Sequence, residues 1–511
     1  MFRRVLVANR GEVAARIVRA CRALGVEPVC VASDADMDAG YPYLREAAQC
    51  LRLGPGPAAQ SYLSLEAVVQ AARQSGCSAV HPGWGFLSEN ARFAALCAQH
   101  GIRFIGPAPE TMDRMSRKVS ARTAARAAGL PVVPGSEGLL ADAEAAGRSA
   151  DAIGYPVVLK ADAGGGGRGI RRCCNAAEVR ANFSEAAREA EAAFGSAALY
   201  LEKYLEGGRH VEIQIFGDGR GAAVHLGERE CSIQRRHQKL LEESPSPAVA
   251  EAQRTQIGTA CARAAGAWRY AGAGTMEFLL DGDGRMNFLE MNTRLQVEHS
   301  VTEEVTGLDL AQAQIRVAAG QGLPWSQAEI HWSGHAVEAR INAEDPDEHF
   351  RPAPGVVKRF SISGEGVRVD THLADGARIP PLYDSLMAKV IAHGSDRAQA
   401  IARLDAALST AQVEGLPTTI SLHRRILAHP EFRAGDYDTQ WLERLLSCLS
   451  NEIHSHPFPR RADPGWRHCS HHLDHRAGAG PRAGGRGGHD DENDGARRSR
   501  EGAPEAHDPG R

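Results

Sequence analysis

The opening of the chain restricts its fold more than any other stretch. Residues 3–8 (RRVLVA) form a short apolar run that breaks at Asn9-Arg10-Gly11. Val13, Ile17, Val18 and Cys21 then recur at helical spacing, and after Gly25 a second run, PVCVAS, occupies 28–33. Strand, helix, strand in that order opens a parallel sheet. Further units follow: a helix near 64–75, CSAVHPG at 77–83, a helix near 89–100 and IRFIGP at 102–107. Residues 1–115 are therefore expected to form one doubly wound α/β domain. The Arg10-Gly11 turn lacks the full G-x-G-x-x-G pattern, so no dinucleotide site is assigned to it.

Beyond 115 the pattern becomes α+β. Ala-rich helical segments at about 112–129 and 175–194 enclose YPVVLKADAGGGGRGI, a strand that runs into a glycine loop. The strands LYLEKYL, HVEIQIFGDG, AAVHLGERE, AGTMEFLLD and MNFLEMN follow, several of them joined by Gly-Asp turns. A third region, 335–446, holds HAVEARINAE, VVKRFSI, VRVDTHL and LMAKVIAHG, then a helix at 396–410. Residues 451–511 contain only Ile453, Phe458, Trp466 and Leu473 as large apolar side chains. Such a segment cannot bury enough surface to offset its ordering entropy, and the tail, 447–511, is expected to be disordered.

Composition excludes several classes. The 511 residues carry 59 Lys+Arg against 63 Asp+Glu, a formal net charge of −4, which argues against nucleic acid or an anionic membrane as the main partner. No apolar run approaches the roughly 18 residues of a membrane span. The apolar stretch in MFRRVLVANRGE is too short for a signal peptide. The eleven Cys contain no C-x-x-C pair, which points to a reducing cytoplasm and mostly buried thiols. Only six cations are Lys (118, 160, 203, 239, 358, 389) and 53 are Arg. Each Lys that survives in such a chain is a candidate for a place that needs a compact, adjustable ammonium.

Three groups of residues can carry chemistry. Gly164-Gly165-Gly166-Gly167-Arg168-Gly169 follows the strand that bears Lys160. Glycines lack Cβ, so a polyphosphate can reach successive backbone N–H groups there; the alternative is a flexible linker. No G-K-[ST] follows, so this is not a Walker A loop. Second, Glu277 and Glu290 lie on strands separated by the turn residues Asp281-Gly282-Asp283-Gly284. A hairpin closing at 282–283 would set 277 opposite 288, with 288, 290 and 292 on one face, so that Glu277, Glu290 and Asn292 converge. Three hard oxygen donors beside a phosphate loop suit Mg²⁺; the alternative is solvated carboxylates at a sheet edge. Third, Arg294, Gln296, Glu298 and His299 crowd one segment, and Cys231, Gln234, Arg235, Arg236, His237, Gln238 and Lys239 another, both where strands become irregular.

Together these pieces resemble the biotin carboxylase family. VLVANRGEVAARI, HPGWGFLSEN, GYPVVLKADAGGGGRG, LEKYLEGGRHVEIQ, ERECSIQRRHQKLLEESP, GTMEFL, FLEMNTRLQVEH, GHAVEARINAEDP and PLYDSLMAKV occur in family order across 2–445. The resemblance implies a pre-ATP-grasp domain (1–115), an ATP-grasp domain (116–330) whose mobile lid spans about 132–204, and a C-terminal biotin carboxylase domain (335–446). It implies carboxylation of biotin by ATP, Mg²⁺ (or Mn²⁺) and bicarbonate, the first half-reaction of acetyl-CoA and acyl-CoA carboxylases. Carried over by position, Lys118, Lys160, His210 and the loop glycines Gly165, Gly166 and Gly167 would hold ATP phosphates. Glu202, Lys203 and Leu205 would line the adenine hinge, Gln234 and His237 would reach the ribose, and Leu279 would also contact ATP. Glu277, Glu290 and Asn292 would bind the metal. Glu298 would be the base, Lys239, Arg294, Gln296 and Val297 would hold bicarbonate and carboxyphosphate, and Arg340 would stabilise the biotin enolate.

The chain departs from the family pattern in places. Ala163 stands for a glycine, Ser116-Arg117 for Gly-Asp, Ser300 for a proline and Thr419 for an asparagine. No Met-Lys-Met sequence occurs, so biotin is expected on a separate carrier protein, with a carboxyltransferase subunit as further partner and a homodimer as the assembly. Two readings of the tail stand side by side: a disordered extension, or a carrier-coding region read out of frame, since 491–497 can be encoded so that the shifted frame gives Met-Lys-Thr-Met-Glu-His. Two competing functions are another ATP-grasp ligase that uses carboxyphosphate and a non-catalytic ATP-binding subunit.

Overall fold

The structure, a computed structural model, describes residues 1–163 and 170–455, with side chains to 448. The expectations for Gly165, Gly166 and Gly167, and for the chain after 455, lie outside the described residues.

The first region is a five-stranded parallel sheet in the order Gln49–Gly54, Glu27–Ser33, Arg4–Val7, Ala79–His81, Arg103–Phe104. Alternate residues of its central strand face opposite layers. Val5 and Val7 pack with Val13, Ile17 and Val18 of helix Gly11–Ala23, while Leu6 packs with Val68 and Phe93 on the other side. The strand order reverses between Arg4–Val7 and Ala79–His81, where a doubly wound sheet opens a crevice. Asn9 ties the two loops there, donating to Pro82 O at 2.6 Å and Trp84 O at 2.7 Å.

A small sheet, Arg171–Cys173, Val157–Ala161, Leu199–Lys203, is covered by helices Ala143–Ile153 and Ala176–Phe194 and has its own apolar core. The helix expected over 112–129 is instead two, Pro109–Ser116 and Lys118–Ala127, broken at Arg117, whose backbone is extended.

The main sheet has eight strands in the order Met286–Asn292, Ala271–Leu280, Arg209–Asp218, Ala223–Arg235, Gln238–Ser244, His335–Asn342, Leu386–Gly394, Val367–Thr371. Its last three strands come from the third region, so that region continues the sheet of the second. Leu241 pairs with Ala339 across the junction, which brings the strand of Lys239 beside that of Arg340. Helix Trp441–Ser455 runs on into the segment expected to be disordered from 447. Trp441, Leu442 and Leu445, which belong to the third region, bury one face of its first turns, and the helix continues from them past 447.

Candidate active site

A cavity of about 470 Å³ opens between the small sheet and the main one. All the described residues carried over as nucleotide contacts line it: Lys118, Lys160, Glu202, Lys203, Leu205, His210, Gln234, His237 and Leu279. Glu202 is buried and bridges two cations, Arg122 and Lys160. Burial, followed by the neighbouring Lys118 ammonium, pushes Lys160 down to about 7. Lys203 donates to Gly154 O and Tyr155 O at 3.1 and 2.7 Å, which fixes its stem across the strand edge. His237 sits with Arg236 in the two-residue turn between Ala223–Arg235 and Gln238–Ser244. Both have positive φ (49° and 65°), a conformation that costs side-chain-bearing residues free energy and here aims both at the cavity. Tyr200, Tyr204, Leu289 and, from the last helix and its approach, Thr439, Gln440 and Glu443 also line it; none was expected from sequence.

Glu277, Glu290 and Asn292 converge, but through a different register from the expected one. Glu277 pairs with Glu290, and Phe278 with Phe288, so 277 does not face 288. One extra residue, Leu289, is accommodated between those pairs. The bulge turns Phe288 into the core against Phe278, with ring centroids 5.8 Å apart, and leaves Glu290, which lines the cavity, with Asn292 on the same strand face. Asn292 Nδ2 donates to Glu277 Oε1 at 2.9 Å, and Glu290 is paired with Lys118. Burial raises the Glu277 carboxyl, yet Lys239 and His210 outweigh it and hold that carboxyl well below the usual range. Two carboxylates and an amide oxygen on one face fit a hard divalent cation such as Mg²⁺ or Mn²⁺.

Next to this face lies a second charged cluster. Lys239 Nζ reaches Glu212 at 2.5 Å, Glu298 at 2.7 Å and Glu277 at 3.0 Å. Arg340 donates to Glu242 at 2.6 Å and to Glu298 at 2.9 Å. Glu298 is 0% exposed, and although burial opposes ionisation, Lys239, Arg340 and Arg229 keep its carboxyl well below the ordinary range. Arg294 donates to Gln296 at 3.0 Å and to Asn292 at 3.1 Å, and Gln296 donates to Glu277 at 3.2 Å. The cavity wall thus holds Glu277 and Glu290, while Lys239, Asn292, Arg294, Gln296, Glu298 and Arg340 join it through direct hydrogen bonds among their side chains and Glu277.

Several partners were not foreseen. Glu89 accepts from Arg294 Nε at 2.9 Å and from Thr293 N at 2.8 Å, which anchors Arg294 to the crevice of the first sheet. The fully buried Arg229 lies beneath Glu212 and donates to Gln214, Thr275 and Thr302. Thr419 Oγ1 donates to Arg340 O and accepts from Asn342 N, both at 3.0 Å, and His423 lies 2.7 Å from the same carbonyl. Glu89 stands inside the HPGWGFLSEN motif and Glu212 shares a strand face with His210, two signals that were available in the sequence.

Comparison with known proteins decides the family. Residues 1–112 match the biotin carboxylase N-terminal domain, 117–326 the carbamoyl-phosphate synthase L chain ATP-binding domain, and 338–444 the biotin carboxylase C-terminal domain. The biotin carboxylase of Halalkalibacterium halodurans is 48% identical over 447 residues, which cover 87% of this chain and 98% of that one. The chain belongs to the biotin carboxylase family. The biotin carboxylase of a Nostoc species is 49% identical over 445 residues, covering 87% of this chain and 99% of its own. Among solved structures of the family, the biotin carboxylase–β,γ-ATP complex from Campylobacter jejuni has a TM-score of 0.84 at 44% identity, covering 87% and 99% of the two chains. The biotin carboxylase domain dimer of Hydrogenobacter thermophilus 2-oxoglutarate carboxylase, in complex with MgADP, ADP and bicarbonate, has a TM-score of 0.83 at 45% identity, covering 87% and 98%. No helix among the described residues is long and apolar enough to cross a membrane.

Proposed function

We propose that the chain carboxylates biotin on a carrier protein, using ATP and bicarbonate through carboxyphosphate. The observation that carries this reading is the buried, ionised Glu298 held between Lys239 and Arg340, with Lys239 also bonded to Glu277 of the Glu277, Glu290 and Asn292 group. Phosphoryl transfer requires mainly positioning and compensation of spreading negative charge, which Lys118, Lys160 and His210 supply around the phosphates. Glu298 takes the bicarbonate proton, and the bicarbonate oxygen attacks the γ-phosphorus with ADP as leaving group. Lys239, Arg294, Gln296 and Val297 hold bicarbonate and then carboxyphosphate. Carboxyphosphate divides into CO₂ and phosphate; phosphate takes the biotin N1′ proton, and Arg340 stabilises the enolate that attacks CO₂. Glu277, Glu290 and Asn292 would hold Mg²⁺ or Mn²⁺, which when bound would supply positive charge to offset that of the phosphates.

We assign residues 1–115 to a pre-ATP-grasp domain, 116–330 to an ATP-grasp domain with its lid at about 132–204, and 335–446 to a C-terminal domain. A separate biotin carrier, a carboxyltransferase subunit and a second copy of this chain are the partners, with neither nucleic acid nor membrane among them. Cytoplasmic residence is supported by the described cysteines, which form no disulfide and are mostly buried. The test is ATP hydrolysis by the purified protein: it should depend on bicarbonate and rise on addition of free biotin. Hydrolysis independent of both would overturn the reading.

A further inference from the structure

The turn after Asn292 has no strand partner of its own, so its carbonyl groups need donors from elsewhere. Gln296 O lies 2.7 Å from the His299 ring, and Glu298 O accepts from Val301 N at 3.3 Å. Val297 O takes a remote donor, Nζ of Lys389, at 2.7 Å. The same ammonium donates to Ser300 Oγ at 2.5 Å. The Lys389 side chain is wholly buried, with Glu12 at 3.5 Å and Asp370 at 3.8 Å as its flanking charges. Its short contacts are therefore spent on the turn, while the carboxylates stand further off and offset its charge.

Lys389 is also the register partner of Arg340 in the antiparallel pair of His335–Asn342 and Leu386–Gly394. Directly opposite residues project to the same face of a sheet. Arg340 grips the Glu298 carboxylate at 2.9 Å, while Lys389 grips the peptide carbonyl that precedes Glu298. A peptide unit is planar, so fixing Val297 O also fixes the direction of the Glu298 N–H and the placement of its Cα.

We propose that Lys389 is a positioning residue for the bicarbonate side of the site. It sets the Val297–Glu298 peptide plane, and through it Gln296 and Glu298, without touching substrate. The inference rests on the roles proposed above for Gln296, Val297 and Glu298. Ser300 belongs to the same device, because its hydroxyl takes the second hydrogen bond from Lys389.

The experiment uses the full chain and three variants: Lys389→Met, Lys389→Arg and Ser300→Ala. For each, kcat of bicarbonate-dependent ATP cleavage, KM for bicarbonate, ADP affinity by calorimetry and the thermal midpoint are measured. Lys389→Met should lower kcat/KM for bicarbonate by roughly tenfold or more, as sub-ångström to ångström misplacement of a reacting group does, with ADP affinity unchanged. Lys389→Arg, which keeps the charge but not its position, should show the same selective loss. Ser300→Ala should raise KM for bicarbonate about twofold to fivefold with ADP affinity and midpoint unchanged. Should Lys389→Met not fold, the other two variants decide. Unchanged bicarbonate kinetics in Lys389→Arg and Ser300→Ala, or losses in ADP affinity that match those for bicarbonate, would overturn the proposal. If the unaltered chain lacked bicarbonate-dependent ATP cleavage, the proposed function itself would fail, a result distinct from a normal parent with unaffected variants.

Discussion

Lys239 Nζ stands 2.7 Å from Glu298 Oε1 and, through the same nitrogen, 3.0 Å from Glu277 Oε1. One ammonium therefore couples the residue proposed to take the bicarbonate proton to a residue proposed to hold the metal. Glu298→Gln keeps the size of the side chain and a carbonyl oxygen for Lys239 but cannot accept that proton. We expect bicarbonate-dependent ATP cleavage to fall by roughly a hundred- to ten-thousand-fold, with ADP affinity intact by calorimetry. Retention of a tenth of the parent rate would assign the base elsewhere.

Glu89 fixes Arg294 from the side of the first domain, through a contact of 2.9 Å. Glu89→Gln removes the charge that holds the guanidinium while leaving a carbonyl acceptor. A several-fold rise in KM for bicarbonate is expected, of the size that loss of a charge-assisted hydrogen bond produces, with ADP affinity unaltered. Steady-state kinetics at saturating ATP check this.

Glu243 links the sheet to the C-terminal helices. It meets Arg397 at 2.6 and 2.9 Å and His335 at 2.7 Å. Burial pushes its carboxyl up, but the hydrogen bonds from His335 and Arg397 prevail and bring it down to about 2. A carboxyl lowered in the folded state stabilises above its unfolded value and loses that contribution as pH falls toward the folded one. Glu243→Gln should cost about 3 kcal/mol near neutrality, and its deficit against the parent should shrink from about pH 4.5 downward. Urea midpoints of both proteins at pH 7, 4 and 3 measure the trend; a deficit independent of pH would refute it.

Glu338 shows the opposite sign. It is fully buried, faces Glu242 directly across the strands, and neither of its oxygens has a hydrogen-bond partner among the described residues. Burial raises it to about 8, with the Lys389 charge opposing. A carboxyl raised on folding makes the folded state progressively less favourable between its unfolded value and its folded one. Glu338→Gln should therefore be more stable than the parent by a margin that grows from about pH 5 to pH 8. Thermal midpoints across that range are the measurement, and a constant margin would count against it.

Much of the site could be read from the chain because its residues cluster locally. Arg294, Gln296 and Glu298 share one turn, and alternation along Met286–Asn292 brings Glu290 and Asn292 to one face. Alternation alone misplaced Phe288, because a bulge at Leu289 changes the face midway along the strand and nothing in MNFLEMN announces it. Arg117 broke an expected helix for a similar reason: its extended backbone has no signature in an Ala-rich run. Partners such as Lys389 for Val297, or Glu89 for Arg294, are joined only by folding. Their contacts cross 92 and 205 residues, and no local pattern could have paired them.

The strand His335–Asn342 forms hydrogen bonds to Gln238–Ser244 on one side and to Leu386–Gly394 on the other. The second and third regions therefore cannot be separated as autonomous units in the way their sequence boundaries invite. A chain ended near residue 330 would expose Gln238–Ser244 as a bare edge with unpaired backbone groups, the kind of surface that recruits strands from other molecules. It would also strip Glu298 of the guanidinium that faces it. Grafting this C-terminal region onto a different nucleotide-binding core would require rebuilding a sheet rather than changing a linker.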